Sequence, residues 1–397
     1  LQSQEVISRE HDVLFQTYKR LPIVVDHASG VEIVDVDGNA YLDFLGGIAV
    51  NVLGYSHPKI ISAIENQIRR YMHLSNYYYQ EPQVQLAELL CSASGYERVF
   101  FCNSGSETVE GALKLARRIG HQKSKYDLVG FSGGFHGRTY AALSVMDKPL
   151  YKDGMGPFVA KTIALPFNDI DALESRIDES TAAVILEFIQ GEGGLSEPTP
   201  EFVKRLFELR DEYDFVVIAD EVQTGIGRTG SFFAFEKYGV RPDIVTVAKS
   251  VGGGLPLGAI LTTHAHAGAM LRGQHGTTFG GNAVACVAGM VVVNEVLNGL
   301  MQHVLEIGRY LHASLSALAE QFPKQIREIR GRGCMQGAVM NSDASPYVNR
   351  LLDKKVIINS TSVNVIRLVP PYVITEENVD TFIRAFREVL LETEAQL

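Results

Sequence analysis

FVVIADEVQTG (residues 215–225) and DIVTVAKSVGGG (residues 243–254) decide the fold. Each contains a short apolar run, 215–219 and 244–248, rich in β-branched residues and closed by one charged side chain, Asp220 and Lys249. Such runs read as strands buried on both faces, the habit of parallel sheets. Asp220 and Lys249 then lie at carboxyl ends of strands, where open α/β sheets take their ligands. Gly252, Gly253 and Gly254 after Lys249 let backbone approach a ligand closely.

Outward from these strands the chain alternates. Residues 1–20 form a polar arm, and 31–36 with 40–44 read as a hairpin turned by Asp37-Gly38-Asn39. Pro58 and Pro82 each open a helix at the position where proline is tolerated. Strands at 98–102, 128–131, 183–188 and 258–262 and helices at 106–119 and 200–213 complete a βαβ pattern, so the fold class is α/β with a mostly parallel sheet. A long apolar helix, 282–297, leaves that unit, and a helix over 375–394 ends the chain. The expected division is 1–45 as arm and hairpin, 46–285 as the large domain, and 286–397 as a linking helix and small α+β domain with which the hairpin packs.

Bulk composition fits this reading. A chain of 397 residues, 46% hydrophobic and 21% charged, suits a two-domain globular enzyme. A net charge of −10 disfavours a nucleic-acid partner and a polybasic membrane surface. No run approaches transmembrane length and no secretory signal is visible, so no membrane association is expected. The four cysteines, Cys91, Cys102, Cys286 and Cys334, have neither CxxC nor zinc spacing and read as reduced thiols of a cytoplasmic protein. His264 and His266 lack an acidic companion at ligand spacing, so no metal site is expected.

A lysine and an aspartate at strand ends suit pyridoxal 5'-phosphate (PLP): the lysine bonds the aldehyde and the carboxylate pairs with the pyridine nitrogen. Two rival readings start from the same residues. A P-loop fails because no GxxxxGK[ST] precedes Lys249. Gly225-Ile226-Gly227-Arg228-Thr229-Gly230 matches GxGxxG, which keeps an NAD-dependent oxidoreductase open, but residues 222–224 and an acidic pair separate it from its strand. Asn103-Ser104-Gly105-Ser106-Glu107 joins a strand to a helix N-terminus and offers free N–H groups to a phosphate, although an ordinary serine cap looks the same. Phe135 could stack on a cofactor ring and Arg138 could take a carboxylate, against the plainer readings of a core ring and a solvated cation. Arg367, in the apolar run 365–369, needs an anionic partner, which a substrate carboxylate or Glu192 could supply.

With TYKRLP (17–22), NSGSETVEGALKLAR (103–117), GGFHGRT (133–139), EFIQGEGG (187–194), IADEVQTGIGRTG (218–230), VAKSVGGGLPLGA (247–259), HGTTFGGN (275–282) and VIRLVPP (365–371) in view, the chain resembles the class III (subgroup II) PLP-dependent aminotransferases nearly end to end. That group comprises acetylornithine, ornithine and 4-aminobutyrate aminotransferases. The resemblance implies fold type I and a homodimer with shared active sites. By it Lys249 bonds the cofactor, Asp220 pairs with the ring nitrogen, Gln223 binds the ring phenolic oxygen, and Phe135 stacks on the ring. Ser104, Gly105 and Ser106 match the phosphate turn, and Thr278 the threonine sent across the dimer to the phosphate. Arg138 matches the arginine for an ornithine-type carboxylate, with Thr277 also among the substrate contacts. Arg367 matches the arginine for the α-carboxylate of glutamate or 2-oxoglutarate, and Glu192 the switch that masks it. Ile48, in FLGGIAVNVLG (44–54), stands where ornithine enzymes carry a pocket tyrosine, which favours an N-acylated ornithine or 4-aminobutyrate. The expected reaction moves the ω-amine of N-acetylornithine to 2-oxoglutarate, giving N-acetylglutamate semialdehyde and glutamate in arginine biosynthesis. Ornithine, succinylornithine, N-succinyl-diaminopimelate and 4-aminobutyrate stay open as donors. The chain departs from the family at Phe188 and Ala283, where proline or a similar residue is usual.

Overall fold

The computed structural model describes residues 2–394. Its centre is a seven-stranded sheet in the order Arg98–Cys102, Gly258–Thr262, Ile244–Val247, Val216–Asp220, Thr181–Leu186, Asp127–Phe131, Thr162–Leu165. The five strands from Ile244–Val247 to Thr162–Leu165 are parallel. Gly258–Thr262 runs antiparallel to both neighbours. A parallel return needs a crossover of about a dozen residues or more, usually a helix. The segment after Lys249 holds only a 3₁₀ turn, Lys249–Gly252, so the chain comes back the other way.

Helices cover both faces, with local reasons for their ends. Thr199 Oγ1 accepts from the Phe202 amide at 3.2 Å, Pro200 takes the first position, and Asp214 at φ +49° closes helix Pro200–Tyr213. Helix Gly105–His121 starts at the expected turn and buries one long face against the sheet. The helix from Ala283 corrects the expectation of no membrane-length run. Helices Ala283–Glu295 and Met301–Gln321, joined by a π-type turn, make a stretch apolar and long enough to cross a membrane. Here it packs on helices Pro58–Ile68 and Glu81–Ser94, and its alanines and valines fill the core.

Two smaller sheets flank the central one. Residues Val25–Ser29, Glu32–Asp35 and Ala40–Asp43 form an antiparallel meander, of which the first strand was not foreseen. Asp35 Oδ1 accepts from the amides of Asp37 and Asn39 at 3.0 and 2.8 Å and fixes the turn. Strand Val356–Ile357 joins this sheet parallel to Ala40–Asp43, which ties the N-terminal hairpin to C-terminal sequence. Strands Ile326–Arg332, Met335–Met340, Val365–Leu368 and Asn359–Thr361 make the third sheet, antiparallel throughout. The polar arm is a helix, Gln2–Val13, for most of its length.

Candidate active site

Parallel strands Thr181–Leu186, Val216–Asp220 and Ile244–Val247 deliver Glu187, Asp220 and Lys249 to one edge of the sheet. They line a cavity of about 400 Å³ together with Ser104–Ser106, Phe135–Gly137 and Gln223. That size suits a cofactor with part of a substrate.

At the first wall, Ser104 Oγ caps helix Gly105–His121 by accepting from the Glu107 amide at 3.2 Å. Glu107 reaches back to the Asn103 amide at 2.7 Å. The Gly105 and Ser106 amides belong to the first turn, where a helix has no acceptor to offer its own N–H groups. A Cβ on Gly105 would stand 2.7 Å from Val222 Cγ1, so only glycine lets the turn sit this close to the cavity. Ser106 Oγ accepts from the Arg138 amide at 3.1 Å.

Opposite lies a buried ion pair that sequence reading missed. His136 Nδ1 and Asp220 Oδ2 are 2.8 Å apart, and the two residues are 2% and 3% exposed. Burial pushes the His136 pKa down, but the Asp220 hydrogen bond and charge outweigh it and leave it raised. Asp220 Oδ1 also accepts from the Val222 amide at 3.1 Å. His136 was already within GGFHGRT, so the available signal was a histidine beside a stacking aromatic; what the sequence hid was its partner.

Lys249 opens its 3₁₀ turn in the left-handed region, φ +47°, a conformation that non-glycine residues adopt mainly where surroundings impose it. Burial, and then the Arg367 charge, push its ammonium down to about 8, although Glu192, Glu187 and Asp220 pull the other way. The lysine is therefore a usable nucleophile near neutral pH.

Arg367, 2% exposed on strand Val365–Leu368, reaches this edge from the third sheet. Its Nη1 donates to Glu192 Oε1 at 2.5 Å, to the Gly191 carbonyl at 3.0 Å and to Gln223 Oε1 at 3.4 Å. Burial pushes the Glu192 carboxyl up, but the Arg367 charge and hydrogen bond prevail and hold it below the usual range. Thr361 and Ser362 hydroxyls donate to the Glu192 carbonyl and anchor its loop.

Other expected residues stand further out. Arg138 is exposed, its guanidinium 3.7 Å from the centroid of the Tyr151 ring and 5.5 Å from that of Phe135. Thr277 Oγ1 accepts from Asn103 Nδ2 at 2.9 Å. Thr278 is exposed and outside the cavity lining of its own chain. Ile48, 45% exposed, also lies outside that lining, whereas Val50 is in it. Gly46, Gly47, Ile48 and Ala49 form one left-handed turn, φ +58° to +63°, pinned where Asp43 accepts from the Leu45 and Gly46 amides. A β-branched residue there costs roughly 1–2 kcal/mol, so this pocket-edge loop stores strain. The departures from the family sit apart from the cavity. Phe188 is fully buried in a ring cluster with Phe235 and Tyr238, and Ala283 begins its helix behind the Asn282 cap. Residues 225–230 form a buried turn whose Arg228 Nη1 donates to the Cys334 and Pro370 carbonyls. The 3₁₀ turn Ala234–Tyr238 follows instead of a helix, so this GxGxxG does not form a dinucleotide site.

A parallel-rich sheet that brings a lysine and a paired aspartate to its edge, beside a helix N-terminus, defines a cofactor-dependent transferase architecture. The Aminotransferase class-III family model matches residues 14–390, and the chain belongs to that family and is an aminotransferase. It is 44% identical to the acetylornithine aminotransferase of Caldanaerobacter subterraneus subsp. tengcongensis over 98% of this chain and 99% of that protein. Among solved structures, acetylornithine aminotransferase from Elizabethkingia anophelis matches with TM-score 0.88 at 32% identity, covering 98% of this chain and 99% of the other. An ornithine aminotransferase from Toxoplasma gondii, with partial occupancy of PLP at its active site, matches with TM-score 0.94 at 29% identity, covering 99% and 95%.

Proposed function

We propose that the cavity binds PLP and that the enzyme transfers the ω-amine of N-acetylornithine to 2-oxoglutarate. The observation that carries this reading is the buried His136–Asp220 pair lining the same cavity as Lys249. The residues fit the group: Gly105 and Ser106 amides for phosphate, Phe135 for the ring face, Gln223 for the phenolic oxygen, Asp220 for the ring nitrogen, and Lys249 for the aldehyde. When bound, PLP supplies an electron sink for the carbon that bears the amine.

The chain's own residues do the rest. His136 orients Asp220 and supports its negative charge. With the cofactor and amine bound, Lys249 would be placed to take and return a proton at the reacting carbon, a task that its lowered basicity suits. Arg138 holds the donor's remote carboxylate. Glu192 covers Arg367 while the donor occupies the pocket, since the reacting end of an ω-amine brings no carboxylate and a bare buried guanidinium is costly. When 2-oxoglutarate enters, its α-carboxylate takes the place of Glu192 on Arg367. Ile48 offers no hydrogen bond to a free α-amine, which favours an acylated donor, as does 44% identity to a named acetylornithine aminotransferase. The same reading makes the enzyme a cytoplasmic homodimer in which Thr278 serves the partner's phosphate site, divided at about 45 and 285 into hairpin, large and small units.

Comparing kcat/KM for acetylornithine, succinylornithine, ornithine and 4-aminobutyrate tests the substrate. Acetylornithine is expected to exceed ornithine by tenfold or more, roughly one lost buried polar contact, and preference for free ornithine would reverse the assignment. A second expectation concerns pH. Only the neutral amine of Lys249 attacks an aldehyde, so capture of PLP by the apoenzyme should accelerate with pH and level off above a midpoint of about 8. Stopped-flow absorbance between pH 6 and pH 10 reads this directly; a midpoint near 10, the ordinary lysine value, would mean that the burial does not act on Lys249.

A further inference from the structure

Glu187 stands just past strand Thr181–Leu186, 5% exposed, and no step above uses it. Its two oxygens are divided between two loops. Oε2 accepts from the Phe135 amide at 2.8 Å, and Oε1 accepts from the Gly191 amide at 3.0 Å. The first loop carries the Phe135 ring and His136, the partner of Asp220. The second carries the Gly191 carbonyl, which accepts from Arg367 Nη1, and Glu192 itself.

The join has little slack. A Cβ on Gly191 would stand 2.6 Å from Gln223 Oε1, so only glycine brings this amide to Glu187 so close to the cavity wall. Gln190 makes a second tie between the same loops, its Nε2 donating to the Ser132 carbonyl at 2.8 Å.

We propose that Glu187 is a positioning residue that holds the aromatic seat of the cofactor ring and the Arg367 carboxylate clamp in one frame. The tasks of the two loops rest on the functional reading above; the join between them rests on the Glu187 and Gln190 hydrogen bonds, of which Glu187 spans both loops with its own two oxygens. A carboxylate is suited to it because both oxygens only accept, whereas an amide turns an N–H₂ donor toward one of the two backbone donors. Burial pushes the Glu187 carboxyl up, with nearby His136 lowering it and Asp220 raising it, while both of its oxygens accept from backbone N–H groups, the arrangement that suits the ionised form.

The test is E187Q holoenzyme at pH 8. PLP release, followed by loss of visible absorbance on dilution, is expected to be about tenfold faster, and KM for 2-oxoglutarate about tenfold higher, each the loss of one charge-assisted hydrogen bond. KM for the donor should stay within about threefold, because its reacting end does not use Arg367 and the Arg138 amide is held by Ser106 Oγ rather than by Glu187. If E187Q does not fold, E187D, one methylene short of spanning both amides, is read in the same way. A change in PLP release with KM for 2-oxoglutarate unaltered, the reverse, or no change in either overturns the coupling. Wild-type protein that takes up no PLP overturns the functional reading as well, and is told apart by failing before any variant is made.

Discussion

Lys249→Ala should lower turnover by at least about 10⁴-fold, the loss of a covalent anchor and a positioned general base together. That corresponds to about 5 kcal/mol or more of barrier. Borohydride treatment of the wild-type holoenzyme should fix PLP to the peptide containing Lys249, and the variant should show no such adduct. The same substitution has a stability signature. A lysine whose folded pKa is about 8 is protonated in both folded and unfolded chains at pH 7, and burying that charge disfavours the fold. The unfolded chain binds more protons between pH 8 and the ordinary lysine value, so wild-type apoenzyme should gain stability as pH rises through that window, by about 3 kcal/mol in full. Lys249→Ala removes this dependence. At pH 7 it trades relief of the buried charge against loss of packed methylenes, so its apoprotein should melt close to wild type. Retained turnover in the variant would discard the assignment of Lys249; a large fall in stability at pH 7 would discard the account of its burial.

The sequence is most legible where local chemistry settles the matter. Thr199 and Pro200 announce a helix start, and strands Arg98–Cys102 and Gly258–Thr262 each hold a short apolar run, 99–102 and 259–261, bounded by polar or glycine residues. Direction is another matter. That Gly258–Thr262 runs antiparallel depends on the brevity of the connection after Lys249 and on which edges are free, neither of which periodicity records. The site divides in the same way. Asp220, Lys249 and the turn at Ser104 are each marked by position at a strand end or helix start. Glu187 also follows a strand end, but it and His136 show their roles only through what they meet: Asp220 for His136, and for Glu187 the Phe135 amide from distant sequence as well as the Gly191 amide four residues on. Ile48 shows the opposite limit: its identity argued for substrate, but its left-handed backbone, in the turn whose start Asp43 pins at Leu45 and Gly46, could not be read from an Ile-Ala-Val run.

Arg367→Lys should divide the two half-reactions. In the present geometry one guanidinium nitrogen meets Glu192, Gly191 and Gln223 while Nε meets Asn359. Lysine keeps the charge but not the planar fork, which matters most for a carboxylate bound through two oxygens. kcat/KM for 2-oxoglutarate is therefore expected to fall by about 10²–10³-fold, roughly 3–4 kcal/mol, with the single-turnover rate for the donor within about threefold. Keeping a cation also avoids leaving the partly buried Glu192 carboxylate without its partner, which alanine would do. Glu192→Gln probes the other side of the pair. Glu192 is held below the usual carboxylate range by Arg367, so the closed pair persists throughout neutral pH and a carboxylate substrate must displace it. Neutralising it should strengthen binding of glutamate and 2-oxoglutarate by about tenfold and weaken the donor by a similar factor, because Arg367 would then face the donor uncovered. The decisive measurement is the ratio of the two half-reactions in rapid single-turnover mixing, one substrate at a time. Opposite movements of that ratio in the two variants are the mark of a switch; parallel losses in both half-reactions would reduce Glu192–Arg367 to a structural ion pair.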